Sequence, residues 1–546
     1  LNKLLYLLFI ILFSQQIWAQ KSKKIVVEKA DFSDYNQSEI PDAGVLIGNV
    51  VFSHEGSILK CNKAYLYLKE NYIKAFGDVL LIQGDTITMK SKYAEYNGEN
   101  QQAFSSGKVI LQSPEMTLET DTLYFDRISQ KAFYQSGGVI KDQENVLKSK
   151  IGTYLLNQKK YVFRNAVSIT NPKYVIKTHH LDYFTNSGHA YLFGPSTITS
   201  KENFIYTEKG FYDTQKDVSH FLRKSYIKYN NRLIEGDSLF YNRNTEFASA
   251  SRFVKITDSI NQSVVKGHYA EVYRNQDSLV MEKKAVAMTL VEKDTLYTHG
   301  KKIIVTGKSP DRLIRAFPNV RFYKFDMSGK CDSLHSSEKT NLTKLIGRPV
   351  LWNFDNQMTG DIMHLISNPE TEKLDSLKVL NNTFLVSKDT IGTGFNQVKG
   401  QDLFGRFENN QLREVDIIKN TEIIYYLRND AQELIGINKS VCSKINILLD
   451  GNEIESIKEY KKFDGDIYPE ADLPENARKL RGFIWRGDER IDSLDNLFPE
   501  EELIHEVDAL AKRNKDKPDD NKPMEIRKET LEFDKPPSDS PNEKFP

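Results

Sequence analysis

Few residues in this chain have the types and spacing that chemistry demands. His179-His180 is the one tandem histidine pair. On a strand its two side chains point to opposite faces, a poor start for a shared metal ion. Cys61, Cys331 and Cys442 lie 270 and 111 residues apart, which matches no zinc motif. Three cysteines make no disulfide framework, and they read as small, buried strand residues. Gly307-Lys308-Ser309 ends like a phosphate-binding loop but has Lys302 where the upstream glycine belongs. Gly392-Thr393-Gly394 lacks a third glycine and reads as a tight turn. Acid–hydroxyl pairs recur at Asp85-Thr86, Asp121-Thr122, Asp237-Ser238 and Asp294-Thr295. At one or fewer per repeat, they read as residues flanking turns. There is no HExxH, GxSxG or complete Walker A pattern. The expectation is a protein that is not an enzyme, with no catalytic residue, metal or cofactor. Carbohydrate-cleaving carboxylates, however, leave little trace in a sequence.

The elements that hold these residues are announced by a repeat. A tyrosine returns at 67, 96, 124, 154, 183, 212, 241 and 273, in steps of 29, 28, 30, 29, 29, 29 and 32. After most of them come a polar turn and then a small-plus-large pair, such as Ala75-Phe76 or Ala103-Phe104. A glycine or polar residue then leads into a β-branched run, as in Gly77-Asp78-Val79 and Gly107-Lys108-Val109. The pattern predicts two strands of about ten residues per unit, each followed by a turn. Only Pro114, Pro172 and Pro195 interrupt residues 42–309, as ladder-forming strands require. A unit of this size cannot bury its apolar face alone, so units must stack and share an interior. The fold class expected is all-β, an elongated stacked array over residues 43–322. A second β-section at 340–462 continues or caps it.

The ends read differently. Lys3, the apolar run Leu4–Phe13 and the small residue Ala19 have the pattern of a secretory signal over residues 1–20, cleaved near Ala19–Gln20. Residues 463–514 read as an extended segment and a short amphipathic helix at 500–514, with Leu503, Val507, Leu510 and Ala511 on one face. Residues 515–546 are rich in Lys, Asp, Pro and Glu and read as disordered. The chain carries 75 Lys and Arg against 75 Asp and Glu, which gives no global electrostatic grip on nucleic acid.

The units Gly48–Val51, Gly77–Leu80 and Gly107–Ile110, each entering a strand, together with the leader, resemble the OstA-like family. That family contains the periplasmic lipopolysaccharide-transport bridge protein and the N-terminal domain of the outer-membrane lipopolysaccharide translocon. Gly405–Leu412 and Ile435–Ser443 look like the longer OstA-like proteins of the Bacteroidetes type. The resemblance implies an open β-jelly-roll, a trough whose apolar groove shields lipopolysaccharide acyl chains. It also implies a periplasmic location with association at the outer membrane. Val79, Leu81, Val109, Leu111, Val139, Val167, Ile169, Val254 and Val286 are the expected lining of that groove. Open strands near 45–53 and 444–449 would pair with other lipopolysaccharide-transport proteins, or head to tail with a second copy, by β-augmentation. Two other readings remain: a carbohydrate-binding or carbohydrate-active β-solenoid, and a structural surface protein.

Overall fold

Strands form because apolar and polar residues alternate with period two, and they stop where Asn, Asp and Gly cluster. The computed structural model describes residues 24–502, except 36–39, 85–86, 115, 143, 292–293, 372, 390, 410, 430, 452 and 501. Among these the fold is all-β, with short helical turns between strands. No helix of the described residues is long and apolar enough to cross a membrane. The expected leader and tail lie outside the described residues, as does nearly all of the expected helix.

Two compact units are present. One comprises the described parts of Leu1–Lys293 with Lys302–Arg315 and Ser336–Thr340. The other comprises Asp294–Lys301, Ala316–His335 and the described part of Asn341–Pro546.

In the first unit, antiparallel strands follow one another from Gly44–His54 to Ser278–Val291. Every second strand carries a bulge in which two residues oppose one on each neighbour. Gly48-Asn49, Gly77-Asp78, Gly107-Lys108 and Asn165-Ala166 are four of these pairs, all at positive φ. Such a bulge bends its strand sharply. The two halves of each strand therefore enter two walls. Glu55, at the tip of one wall, is 2.8 Å from Arg127 at the tip of the other. Unbent strands would hold those tips a full strand length apart.

The inside of the bend takes small or β-branched side chains, and where a glycine stands there a larger neighbour fills the space, as Tyr134 does over Gly138. Val79 faces Ser91, Val109 faces Thr120, Thr120 faces Gly138, and Val167 faces Thr178. The hydroxyls here also satisfy carbonyls that the bulges free from the ladder. Thr120 Oγ1 donates to Gly137 O at 2.7 Å and Thr207 Oγ1 to Lys209 O at 2.8 Å. Asp121-Thr122 and Asp237-Ser238 are correspondingly not turn-flanking residues. They sit mid-strand, beside the bend, because the neighbouring strands bulge opposite Asp121 and Asp237.

The two expected edges are interior strands. Gly44–His54 is covered by Val26–Lys29 and Phe32–Asp34. Leu434–Asp450 is covered by Glu453–Tyr460 and Asp464–Tyr468. Short added segments cap each long strand, which is one way proteins blunt an edge.

The second unit is built on the long strands Leu374–Lys388, Phe395–Glu408, Gln411–Arg428 and Leu434–Asp450. Val379, Leu403, Ile417 and Ile445 face one another in register and are fully buried. The chain then returns as a strap of 3-10 turns between Glu470 and Leu497. Leu473 and Leu480 pack on Phe384, Val386 and Ile424. Two buried glutamines pin the strap by pairing with its backbone as a neighbouring strand would. Gln397 donates to Arg478 O at 2.8 Å and accepts from Leu480 N at 2.9 Å. Gln357 donates to Ile484 O at 2.8 Å and accepts from Arg486 N at 2.7 Å.

Two outcomes follow from this packing. A Cβ at Gly107, where φ is +81°, would stand 2.9 Å from Lys92 Cβ. Gly107→Ala should therefore destabilise the protein by about 1–3 kcal/mol in denaturant titration. Gln397→Ala strands two buried backbone groups. It should raise amide exchange in residues 473–486 more than in the strands beneath, and equal protection in both would refute the clamp.

Candidate functional site

The interior of the first unit is set by which residues fall on the inner side of each bent strand. Beyond the bend, one wall carries an unbroken aliphatic ladder. Leu59 faces Leu81, Leu81 faces Met89, Met89 faces Leu111, and Leu111 faces Leu118. Further on, Ile169, Ile176, Ile198, Ile205, Ile227 and Ile234 follow one another in direct register. Cross-strand β-branched neighbours of this kind pack well on a pleated face. The facing wall mixes large and small residues: Phe163 faces Leu181, and Leu192 and Phe221 flank Gly210.

Among the cavities that the described residues leave between the walls, two have empty volumes of about 680 and about 500 Å³, part of it continuous with solvent. Ile73 and Leu81, from the two halves of one bent strand, both line the larger. Ile176 and Ile198 face Tyr212 and Tyr241 across the smaller. The rims are polar. At the larger cavity Tyr96 Oη is 2.9 Å from His54 Nδ1, and burial raises the Tyr96 phenol despite the opposing pull of Arg127. At the smaller one Tyr212 donates to Asp217, and Arg243 stands 5.3 Å from the Tyr174 ring. Burial, reinforced by the Asp217 hydrogen bond, pushes the Tyr212 phenol well up.

The structure places the nine lining candidates unevenly. Val79, Val109, Val167 and Val254 are buried inside the bend. Leu81, Leu111 and Ile169 stand in the aliphatic ladder, half-buried. Val139 is on the other face, opposite Glu119 and Lys148, and Ile140 takes the ladder position. Gly138 itself occupies the bend, so the side-chain parity is one residue later than in Gly107-Lys108-Val109. Val286 likewise faces Lys266, while Ala287 faces Val265. There the bulge is Lys283-Lys284, which carries no glycine to mark it.

The repeating tyrosines also divide. Tyr96, Tyr154, Tyr183, Tyr212 and Tyr241 share the inner face through pairings such as Tyr154–Tyr161 and Tyr161–Tyr183. Tyr67, Tyr124 and Tyr273 are displaced by one residue to the outer face, where Tyr124 joins a ring ladder. Rings of Tyr65, Phe76, Tyr93, Phe104, Tyr124 and Phe133 follow at 4.9 to 6.4 Å. No cluster of three or more metal-ligating side chains occurs among the described residues. His180 instead joins Lys160 on Asp182, at 2.7 and 2.8 Å. Burial raises the Asp182 carboxyl, but the hydrogen bonds from His180 and Lys160 outweigh it and hold it below its ordinary value.

The fold defines an all-β class of protein, a bent, two-walled sheet with an aliphatic ladder on its inner face. Residues 22–179 match the family model described as OstA-like protein. Over that segment, less than a third of the chain, the sequence is similar to OstA-like proteins, and the match implies a role of the lipid-transport type. No curated protein matches the chain. The same construction runs on beyond the matched segment. Bulges at Gly194-Pro195, Arg223-Lys224 and Arg252-Phe253 repeat the bend, although only the first keeps a glycine.

All three cysteines are free and buried. Burial pushes the Cys61 thiol up to about 11 and the Cys331 thiol up to about 12. The unfolded thiol, near its ordinary 9.0, ionises first on raising the pH. The neutral-thiol contribution to stability is thus whole below pH 9 and declines towards about 11. The native chain should resist a thiol reagent at about pH 8 and release three reactive thiols only in denaturant. Rapid labelling of the native state would contradict the burial.

Proposed function

We propose that this chain carries lipopolysaccharide through the periplasm to the outer membrane, without catalysis, sheltering acyl chains between the two walls of its first unit. One observation carries the reading: a continuous aliphatic ladder borders cavities that the side chains leave unfilled. Each methylene moved from water to such a lining contributes about 0.8 kcal/mol. Several tails then bind firmly without a specific polar contact, and the sugar stays in water. The leader expected at 1–20 would supply export. Partners would be other lipopolysaccharide-transport proteins or a second copy, joined through the outermost strands. Those strands are Val26–Lys29 with Phe32–Asp34 in the first unit and Asp464–Tyr468 in the second, and Val26, Phe32 and Ile467 are more than half exposed.

The outward Tyr67, Tyr124 and Tyr273 favour a carbohydrate-binding alternative, since glycans stack on aromatic faces. The ring ladder argues against it. Tyr124 and Phe133 stack on each other at 4.9 Å and 10°, and their neighbours pack edge to face, so ring faces are covered by rings.

The test is site-specific photo-crosslinking in cells. A probe at Leu111 or Ile169 should capture lipopolysaccharide, and one at Val139, two strands along the sheet but on the other face, should not. Equal capture at all three positions, or glycan without lipid, would overturn the reading.

A further inference from the structure

The mouth of the first unit, opposite the bend, is spanned by arginines. Arg127, Arg243 and Arg274 each follow directly after a strand, Thr117–Asp126, Arg232–Asn242 and Ser263–Tyr273, on the free edge of one wall. Each reaches the free edge of the other wall. Arg127 Nη1 is 2.8 Å from Glu55, in the hairpin between Gly44–His54 and Ser57–Tyr67. Arg274 Nη2 is 2.8 Å from Glu202, in the hairpin between His189–Ser200 and Asn203–Asp213. Arg274 and Glu202 are 72 residues apart, and Arg127 and Glu55 stand at that same separation. The same crossing thus recurs in two parts of the array. Arg243 lies between them in sequence. It is 5.3 Å from the Tyr174 ring on the opposite edge and 3.8 Å from Asp217 on its own.

These arginines are not ordinary surface cations. Arg274 lies 4.0 Å above the Tyr229 ring and donates to Tyr241 Oη at 3.0 Å. Its Nε is buried with no hydrogen-bond partner among the described residues. Arg127 and Arg243 each line one of the two cavities, so their charge sits at the rim of an apolar space. Their present partners are carboxylates at partly exposed hairpin tips, and such pairs contribute little to stability. A pair of this kind is easily exchanged for another anion. A planar guanidinium accepts phosphate or carboxylate equally well, in a two-pronged contact.

We propose that Arg127, Arg243 and Arg274 are latches on the groove that receive the anionic headgroup of an acyl amphiphile. Loading exchanges Glu55, Asp217 or Glu202 for the ligand's phosphate or carboxylate, and the tails pass beneath to the aliphatic ladder. No covalent bond is made or broken. The inference rests on the lipid-carrier reading and adds to it a headgroup preference and an entry route.

The test uses the full chain with three probes: bisphosphorylated lipid A, the same lipid dephosphorylated, and inorganic phosphate. The phosphorylated lipid should bind about tenfold tighter than its dephosphorylated counterpart, as one or two charge-assisted contacts would give. That preference should weaken with added salt. Arg127→Gln and Arg274→Gln should cost the phosphorylated lipid about tenfold more than the dephosphorylated one. Glu55→Gln, which frees the arginine without changing shape, should speed loading of the phosphorylated lipid alone. Equal affinity for the two lipids, equal losses in the arginine variants, or phosphate binding as tightly as the phosphorylated lipid would each overturn the latch. In those cases the groove reading would survive. If neither lipid binds, the carrier reading itself fails.

Discussion

The bend at the paired left-handed residues is the constraint on which the first unit depends. A straight antiparallel meander would be a flat ribbon with one side in water and the other unsatisfied. Two consecutive residues at positive φ, or a single glycine as at Gly194-Pro195, turn each second strand, and its neighbours follow because the hydrogen-bond ladder ties them. One sheet thereby becomes two walls that share every strand. Glycine makes this geometry easy at Gly48, Gly77 and Gly107. At Arg223-Lys224, Arg252-Phe253 and Lys283-Lys284 the chain adopts it without glycine. The neighbouring ladder holds those residues in a conformation that they would otherwise avoid.

Everything inside follows from that corner. Close to it the walls nearly touch, and the space is filled by Val, Ser, Thr, Gly and Ala, whose hydroxyls meet the carbonyls that the bulges release. Further out the walls diverge and larger side chains take over, isoleucine against tyrosine. There aliphatic and aromatic bulk does not fill the gap, and cavities open between the two. The tips are joined by charge rather than by apolar packing. The polarity thus runs from hydroxyls at the closed side, through hydrocarbon, to ions at the mouth. Such a gradient suits a molecule with apolar tails and a polar head.

The second unit handles the same problem differently. Its long strands are apolar on both faces along part of their length, since Leu385, opposite Val398, alternates with Phe384 and Val386. The outer face is covered by the chain itself. Buried polar side chains usually weaken such a seam, but the amides of Gln357 and Gln397 offer one donor and one acceptor each, which is what a strand's backbone offers. The strap is therefore held by side chains standing in for an absent neighbouring strand.

The sequence by itself determined the strands and the repeat. These depend on residue type and on period, which are local properties. The tyrosine spacing and the Gly-x-Val units marked strand ends and bends well enough to point to the OstA-like family. Which side each residue faces was decided only in three dimensions. Facing is counted from the bend, and the count slips by one where Gly138 fills the bend or where Lys283-Lys284 carries no glycine to mark it, so Val139 and Val286 face outward while Ile140 and Ala287 face in. The same slip moved Tyr67, Tyr124 and Tyr273 away from their counterparts. Edge strands hid for a related reason: Val26–Lys29 and Phe32–Asp34 are too short to show a period, and only pairing with Gly44–His54 makes them strands. The arginine crossings lay beyond any local reading, because residues 72 apart meet only when a bent sheet brings its own two free edges together.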